Sequence, residues 1–250
     1  MHYKTSISYY GGKSKIAHLY PSPDYKQIIE PFCGSASYAV RYSTHNVWIN
    51  DLNEDTFHMW EFLISPHAEA DIKRFVPEAI PTGLTIGELV PKDAPYGLQL
   101  IMHYQAVHGT GGTKRRPEHN QVARFGVVRW PVVRPRLLWI AARVKHWKVT
   151  NLDYRDLPNV EATWFVDPPY NNKAGNVYAI GGDTIDFVEL GKWCMERTGN
   201  IIVCENEGAD WLPFVRLCDH AGLHHIADDP SDKAMLGEVV YMTHRNQLPI

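Results

Sequence analysis

The sequence is poor in several things that would narrow its class at once. Only four of its 250 residues are cysteine, and Cys33, Cys194, Cys204 and Cys218 lie far apart with no C-x-x-C among them. That spacing excludes a disulfide framework and offers no zinc pattern, so no metal is expected, and reduced thiols in a cytoplasm are the expected state. No run approaches the about 18 consecutive apolar residues of a membrane span, so no membrane partner is expected. The first six residues lead into no apolar stretch of the secretory kind. A strong charge of either sign is also missing: 25 Lys+Arg against 28 Asp+Glu leave −3, which excludes a uniformly basic nucleic-acid binder. Disorder is excluded by what is present, since 8 Trp, 13 Tyr and 8 Phe in a chain that is 44% hydrophobic supply a sizeable core.

The charge balance hides an asymmetry. From Lys114 to Lys148 there are ten basic residues and one acid, Glu118, so that segment carries +9 and the remainder of the chain −12. A basic block on an acidic chain is the electrostatic footprint of an element that binds a polyanion. A charge run alone also describes a solvated face. Here Phe125, Trp130, Trp139 and Trp147 interleave the cations, and Gly109-Thr110-Gly111-Gly112-Thr113 forms a flexible approach, a combination that favours nucleic acid.

Short apolar runs ending in turn residues predict strands at 27–29, 47–49, 147–149, 163–166, 201–204 and 238–242, the last following a 223–226 segment as a terminal hairpin. Helical patterns fall at 36–42, 56–64, 98–107, 135–143 and 187–197. Strands alternating with helices predict an α/β sheet of parallel character. Residues 55–146 break the alternation and contain the basic block, so they read as a helical insertion between strands two and three.

Two loops point to a nucleotide-like ligand. Glu30-Pro31-Phe32-Cys33-Gly34-Ser35-Ala36-Ser37 follows a strand and opens a helix, where small residues allow close approach and free amides face a ligand. Asp51 comes 17 residues after Gly34, at the end of the next strand, where a carboxylate meets a ribose diol. Gly11-Gly12-Lys13-Ser14 is not a nucleoside-triphosphate loop, because that motif needs a glycine where Ile7 stands. The two glycines after Tyr9-Tyr10 still permit a tight turn that aims Lys13 and the rings inward.

Asp167-Pro168-Pro169-Tyr170 is the most specific feature. It lies at the carboxyl end of a predicted strand, where open α/β sheets bind ligands. Consecutive prolines lack amide hydrogens, which leaves the Pro168 carbonyl as an acceptor beside the Asp167 carboxylate. Two neighbouring acceptors match the two hydrogens of an exocyclic amine, and Tyr170 offers a flat face for a base.

In this order the motifs resemble the Dam-type DNA adenine methyltransferases. The resemblance rests on Tyr9-Tyr10-Gly11-Gly12-Lys13-Ser14-Lys15, the segment from Glu30 to Ser37, Asn50-Asp51-Leu52-Asn53 and Asp167-Pro168-Pro169-Tyr170. Asn151-Leu152-Asp153-Tyr154 sits like the family's acidic-aromatic pair. It implies a Rossmann-like class I methyltransferase sheet of seven mostly parallel strands, with 1–54 and 147–250 binding S-adenosyl-L-methionine and 55–146 as target-recognition insert. It further implies that Lys13, Tyr9 and Tyr10 border cofactor and target base. Phe32, Cys33 and Gly34 lie against the methionine part, Pro31 and Ser35 are further cofactor-binding candidates, Asp51 holds the ribose, and Asp153 and Tyr154 meet the cofactor adenine. Asp167, Pro168 and Pro169 form the catalytic corner, and Tyr170 stacks on a base flipped out of duplex DNA. Arg115, Arg116, Arg124, Arg129, Arg134 and Arg136 are the candidate DNA contacts.

The chain departs from the family pattern at two places. Ala36 stands where many relatives have a further glycine, and Arg124-Phe125-Gly126-Val127-Val128-Arg129-Trp130-Pro131 replaces the Asn-Val-Pro-Phe-Gly run of GATC readers. The recognised site, and whether a restriction endonuclease is a partner, stay open at this point; compact size fits a solitary phage-type enzyme by analogy alone. An RNA adenine methyltransferase, or a non-catalytic DNA-binding protein with the same fold, are the alternative readings.

Overall fold

A strand that is apolar along its whole length needs cover on both faces, and the central strands of this chain receive it. The computed structural model describes residues 7–81, 83–107, 111–115, 118–123, 130–218 and 237–243. Seven strands, β1 (Gln27–Glu30), β2 (Asn46–Asn50), β3 (Lys148–Thr150), β4 (Ala162–Val166), β5 (Gly199–Asn206), β6 (Val215–Cys218) and β7 (Glu238–Met242), form one sheet in the order β3-β2-β1-β4-β5-β7-β6. β1 to β5 pair in parallel; β7 runs antiparallel to both β5 and β6.

Successive residues of a strand point to opposite faces, and the two cores follow that alternation. Ile28, Phe165, Ile202 and Cys204 enter one core; Ile29, Trp164, Ile201 and Val203 enter the other. The first face is covered by α1 (Ser37–Arg41) and by the helices between β2 and β3. These are α2 (Glu54–Ile64), α3 (Ala68–Phe75), α4 (Ile86–Leu89), α5 (Tyr96–Ala106) and α6 (Val133–Ala141). Their apolar residues, Trp60, Leu98 and Trp130 among them, join the sheet residues in a single cluster. The insertion therefore shares the sheet's core among the described residues. α7 (Phe187–Met195), started by Asp186 Oδ1 accepting from the amides of Val188 and Glu189, covers the second face.

The expected strands and the five expected helices are present, with small shifts at their ends. β3 starts one residue late because Trp147 is buried beneath the sheet edge, stacked 5.5 Å from Trp60. The neighbour of β7 is β6, a half-buried segment containing Arg216 that the apolar pattern did not single out; 223–226 lies outside the described residues. α3 and α4 were not expected either, since only Ala68 and Ile72 of α3 and Ile86 and Leu89 of α4 are buried. No helix among the described residues is long and apolar enough to cross a membrane.

Candidate active site

From β1 the chain moves outward to β2 and β3, then returns to place β4 on the other side of β1. Loops at the carboxyl ends of such strands diverge and leave a crevice. The cavity found there is lined by Tyr9, Tyr10, Lys13, Phe32, Cys33, Gly34, Ser35, Asp51, Asp153, Tyr154, Asp167 and Pro169. The sequence thus placed twelve of its candidates around one cavity, from loops that follow four different strands and the N-terminal turn.

Asn50 locks three of these loops together. Its Nδ2 donates to the carbonyls of Pro31 (3.0 Å) and Leu152 (2.9 Å), and its Oδ1 accepts from the Leu152 amide (3.0 Å) and the Thr150 hydroxyl (2.8 Å). A fully satisfied buried amide of this kind rigidifies the elements it joins. Beside it, Asp51 accepts from the Gly34 amide through Oδ2 (2.8 Å) and from the Asn53 amide through Oδ1 (2.9 Å). Burial pushes its carboxyl up to about 6, against the pull of those two amides.

The first loop differs from its expected form. The amides of Cys33, Gly34 and Ala36 are taken by Asn50, Asp51 and Cys33 acceptors, and Glu30 Oε1 accepts from the Ala39 amide in α1 (2.6 Å). What faces the cavity is therefore a set of small side chains and an aromatic wall, with Phe32 and Tyr154 ring centres 5.3 Å apart. Ala36 has φ 46°, the left-handed region that costs an L-residue about 1–2 kcal/mol. This explains why a glycine suits the position. Ala36→Gly is expected to stabilise the protein by about 0.5–1 kcal/mol, raising its melting temperature by about 2 °C; an unchanged or lower value would contradict the strain.

Tyr9 closes one side. Its hydroxyl lies 3.1 Å from Thr56 Oγ1, and a Cβ at Gly34 or Gly112 would meet the ring at 2.8 or 2.2 Å. The glycines of the 109–113 stretch were read as a flexible approach; Gly111 and Gly112 instead give Tyr9 room. Tyr10 N donates to the Gly111 carbonyl at 2.9 Å, and Ala179 N to that of Gly112 at 2.8 Å. Tyr178, which no motif signalled, donates to the Tyr10 carbonyl (3.1 Å) and lines the cavity.

At the far end Lys13 Nζ donates to Asp167 Oδ1 at 2.9 Å. Burial alone would lower the Lys13 ammonium, but the carboxylates of Asp167 and Glu238 more than reverse it, and the group stays charged. Pro31, Pro168 and Tyr170 do not line the cavity. The Pro31 carbonyl is held by Asn50, Pro168 is buried, and the Tyr170 hydroxyl donates to Glu238. Asp153 is gripped by Arg155, Nε to Oδ1 at 2.8 Å and Nη2 to Oδ2 at 2.6 Å, which holds its carboxyl below the usual range. Arg155 carried no sequence signal beyond its neighbours.

Of the candidate DNA contacts, Arg116, Arg124 and Arg129 lie outside the described residues. Arg115 is exposed on the segment that runs along the cavity rim. Arg134 is committed to Glu78 and to the Lys73 carbonyl, and Arg136 is half-buried. Lys145 pairs with Glu69 at 2.6 Å, so acids of the preceding helices neutralise part of the basic block.

Residues 9–81 match the family model of the D12 class N6 adenine-specific DNA methyltransferases. The match covers less than a third of the chain and supports an adenine-specific DNA methyltransferase. No curated protein matches it. The matched stretch spans the Tyr9–Lys15 turn, the loop after β1 and Asp51, and stops before the Asp167–Tyr170 corner. In the fold that corner joins the matched loops through the cavity they line together. The family implies S-adenosylmethionine as methyl donor, and the cavity's chemistry fits it. Besides the buried Glu30, five lining carboxylates (Asp51, Asp153, Asp167, Asp186 and Glu189) face two lining cations (Lys13 and Arg155). That surplus suits a ligand bearing sulfonium and ammonium charges and repels a polyphosphate. The aromatic faces of Tyr9, Tyr10 and Tyr178 add favourable sites for a cation.

Proposed function

We propose that this methyltransferase moves the methyl group of S-adenosyl-L-methionine to the exocyclic amine of an adenine swung out of duplex DNA. The observation that carries the reading is the position of Asp167 in the cavity that also holds Asp51 and the Phe32–Tyr154 wall. Bound there, the cofactor supplies an electrophilic sulfonium methyl. Asp51 would accept from the ribose hydroxyls, and Asp153 and Tyr154 would frame the adenine of the cofactor. Lys13 occupies Oδ1 of Asp167, and Oδ2 has no protein partner among the described residues. That oxygen is the acceptor we assign to the amine of the target base; the Pro168 carbonyl, on a buried residue outside the cavity lining, would have to turn toward the base to serve as the second. The amine is a poor nucleophile because its lone pair is delocalised into the ring. Accepting both its hydrogens localises the lone pair and fixes its direction, so the protein contributes orientation and electrostatics.

The base lies inside a duplex, and extruding it costs a few kcal/mol of stacking and pairing. Residues 55–146 form the proposed target-recognition part, in which exposed arginines offset that cost by contacts to phosphate. The DNA affinity should therefore fall steeply with salt, losing about 0.9 in logarithmic slope for each phosphate contact. Arg115→Ala is expected to flatten that slope by about 0.9. Arg134→Ala should leave it unchanged, since Arg134 is spent on Glu78. A salt-independent affinity would remove the basic segment as the DNA face.

Equilibrium titration tests the cofactor assignment. Saturable binding of S-adenosylmethionine, competed by S-adenosylhomocysteine and not by ATP, is the expected result. Tighter binding of ATP would overturn it.

A further inference from the structure

Glu238 opens β7 and is fully buried, yet the reading above gives it no task. Antiparallel pairing with Asn206 of β5 sets it at the same sheet end as the Asp167 corner. Both its oxygens are engaged there. Oε1 accepts from Tyr20 Oη at 2.6 Å, and Tyr170 Oη donates to Oε1 at 2.9 Å and to Oε2 at 3.0 Å. Lys13 Nζ stands 3.9 Å from Oε1 and 2.9 Å from Asp167 Oδ1, and 4.5 Å above the Tyr170 ring centre. Burial and the neighbouring Asp167 hold the Glu238 carboxyl above its usual range, with Lys13 and the two phenols pulling the other way in part.

We propose that Glu238 is a positioning residue for methyl transfer, holding the Tyr170 ring by its hydroxyl and sharing the Lys13 ammonium with Asp167. The proposal rests on the methyl-transfer reading above. Its physical content is a division of labour. Lys13 donates to Asp167 Oδ1 and meets Glu238 as a longer ion pair, so Glu238 shares the ammonium's charge while Oδ2 of Asp167 keeps acceptor capacity for the base. The same carboxylate fixes the far end of the Tyr170 ring, since a phenol held through its hydroxyl cannot swing its axis away. Buried carboxylates are retained only where such partners offset their desolvation, and here both kinds of partner belong to the proposed catalytic corner.

Glu238→Gln keeps the shape and an acceptor but removes the charge. It is expected to lower the single-turnover rate by up to about 100-fold, as small misplacements at a reacting centre do. The dissociation constant of S-adenosylhomocysteine and the KM for the methylated polymer should change by less than about twofold, because neither ligand touches Glu238. Tyr170→Phe, which deletes one hydrogen bond and keeps the ring, should lower the rate with the same split. Combining the two should cost clearly less than the product of the single losses, since the second change acts on a contact already gone. Independent, multiplicative losses, or a rate unchanged in Glu238→Gln, would overturn the proposal. Should Glu238→Gln fail to fold, Tyr170→Phe alone decides: a rate equal to wild type refutes anchoring through the hydroxyl. The rate ratio is read on whichever polymer the wild type methylates. Failure of the parent reading therefore appears as a different wild-type product, and failure of this proposal as an unchanged ratio; no transfer to any polymer overturns both.

Discussion

Asp167→Ala is expected to lower methyl transfer about 10³-fold, the scale seen when a single preorganised partner of the reacting group is removed. The dissociation constant of S-adenosylmethionine should move by less than about threefold. The split follows from geometry. Asp167 sits at one end of the cavity beside Lys13, while Asp51, Phe32 and Tyr154 occupy the part assigned to the cofactor. Loss of folding does not confound the result. Breaking a buried ion pair costs about 3–5 kcal/mol when the surviving charge is stranded. Here Lys13 keeps Glu238 as a counter-ion at 3.9 Å, so the cost should fall below that range. Asp167→Asn provides a shape-preserving control: its amide still accepts through one oxygen, yet it donates where Asp167 must accept. It should be nearly as inactive as alanine. Turnover near wild type in either variant would withdraw the role assigned to this carboxylate.

Cofactor affinity should also depend on pH in a defined direction. The Asp51 carboxyl in the ligand-free protein titrates at about 6, raised by burial. Only the ionised form offers all its lone pairs to a ribose diol while still accepting from the Gly34 and Asn53 amides. Hydrogen bonds from a bound ribose favour the ionised form and lower the pKa in the complex. Binding therefore expels a proton whenever the pH lies between the two values. The affinity is constant above about 6 and falls by up to about tenfold per pH unit below it, until the pKa of the complex is reached. The sign for folding is the reverse. A carboxyl whose pKa is raised on folding penalises the folded state when ionised, so Asp51 itself favours folding more as the pH drops through about 6. Affinity lost while the fold tightens locally is a signature that general acid unfolding does not produce. Asp51→Asn should weaken binding by about 10–100-fold, the value of a charged hydrogen bond or two, and abolish the pH step. A pH step that persists in Asp51→Asn would move the titration to another group.

Much of the candidate cavity was legible because strand ends announce themselves. Apolar runs stop at Glu30, Asn50 and Asp167, and an α/β sheet brings such ends to one crevice whatever the details of packing. The contacts between distant segments were not legible. Tyr20 and Glu238 are 218 residues apart, and their meeting depends on the antiparallel return of β7, which no local pattern encodes. Glu238 was read as the polar first residue of a strand and nothing more. Tyr178 and Gly112 were missed for a related reason: close approach of one loop to another is a property of both, and a glycine run alone looks like slack. The local neutralisation of the basic block was not legible either, since the acids that pair with Arg134 and Lys145 lie in and just after α3, brought close by helix packing rather than by sequence neighbourhood.

The most direct test is chemical identification of the product. The wild-type protein is incubated with methyl-labelled S-adenosylmethionine and duplex DNA, the DNA is digested to nucleosides, and the labelled species is separated. The account predicts label in N6-methyladenine. Label in a cytosine, in RNA or protein alone, or in nothing, would contradict it.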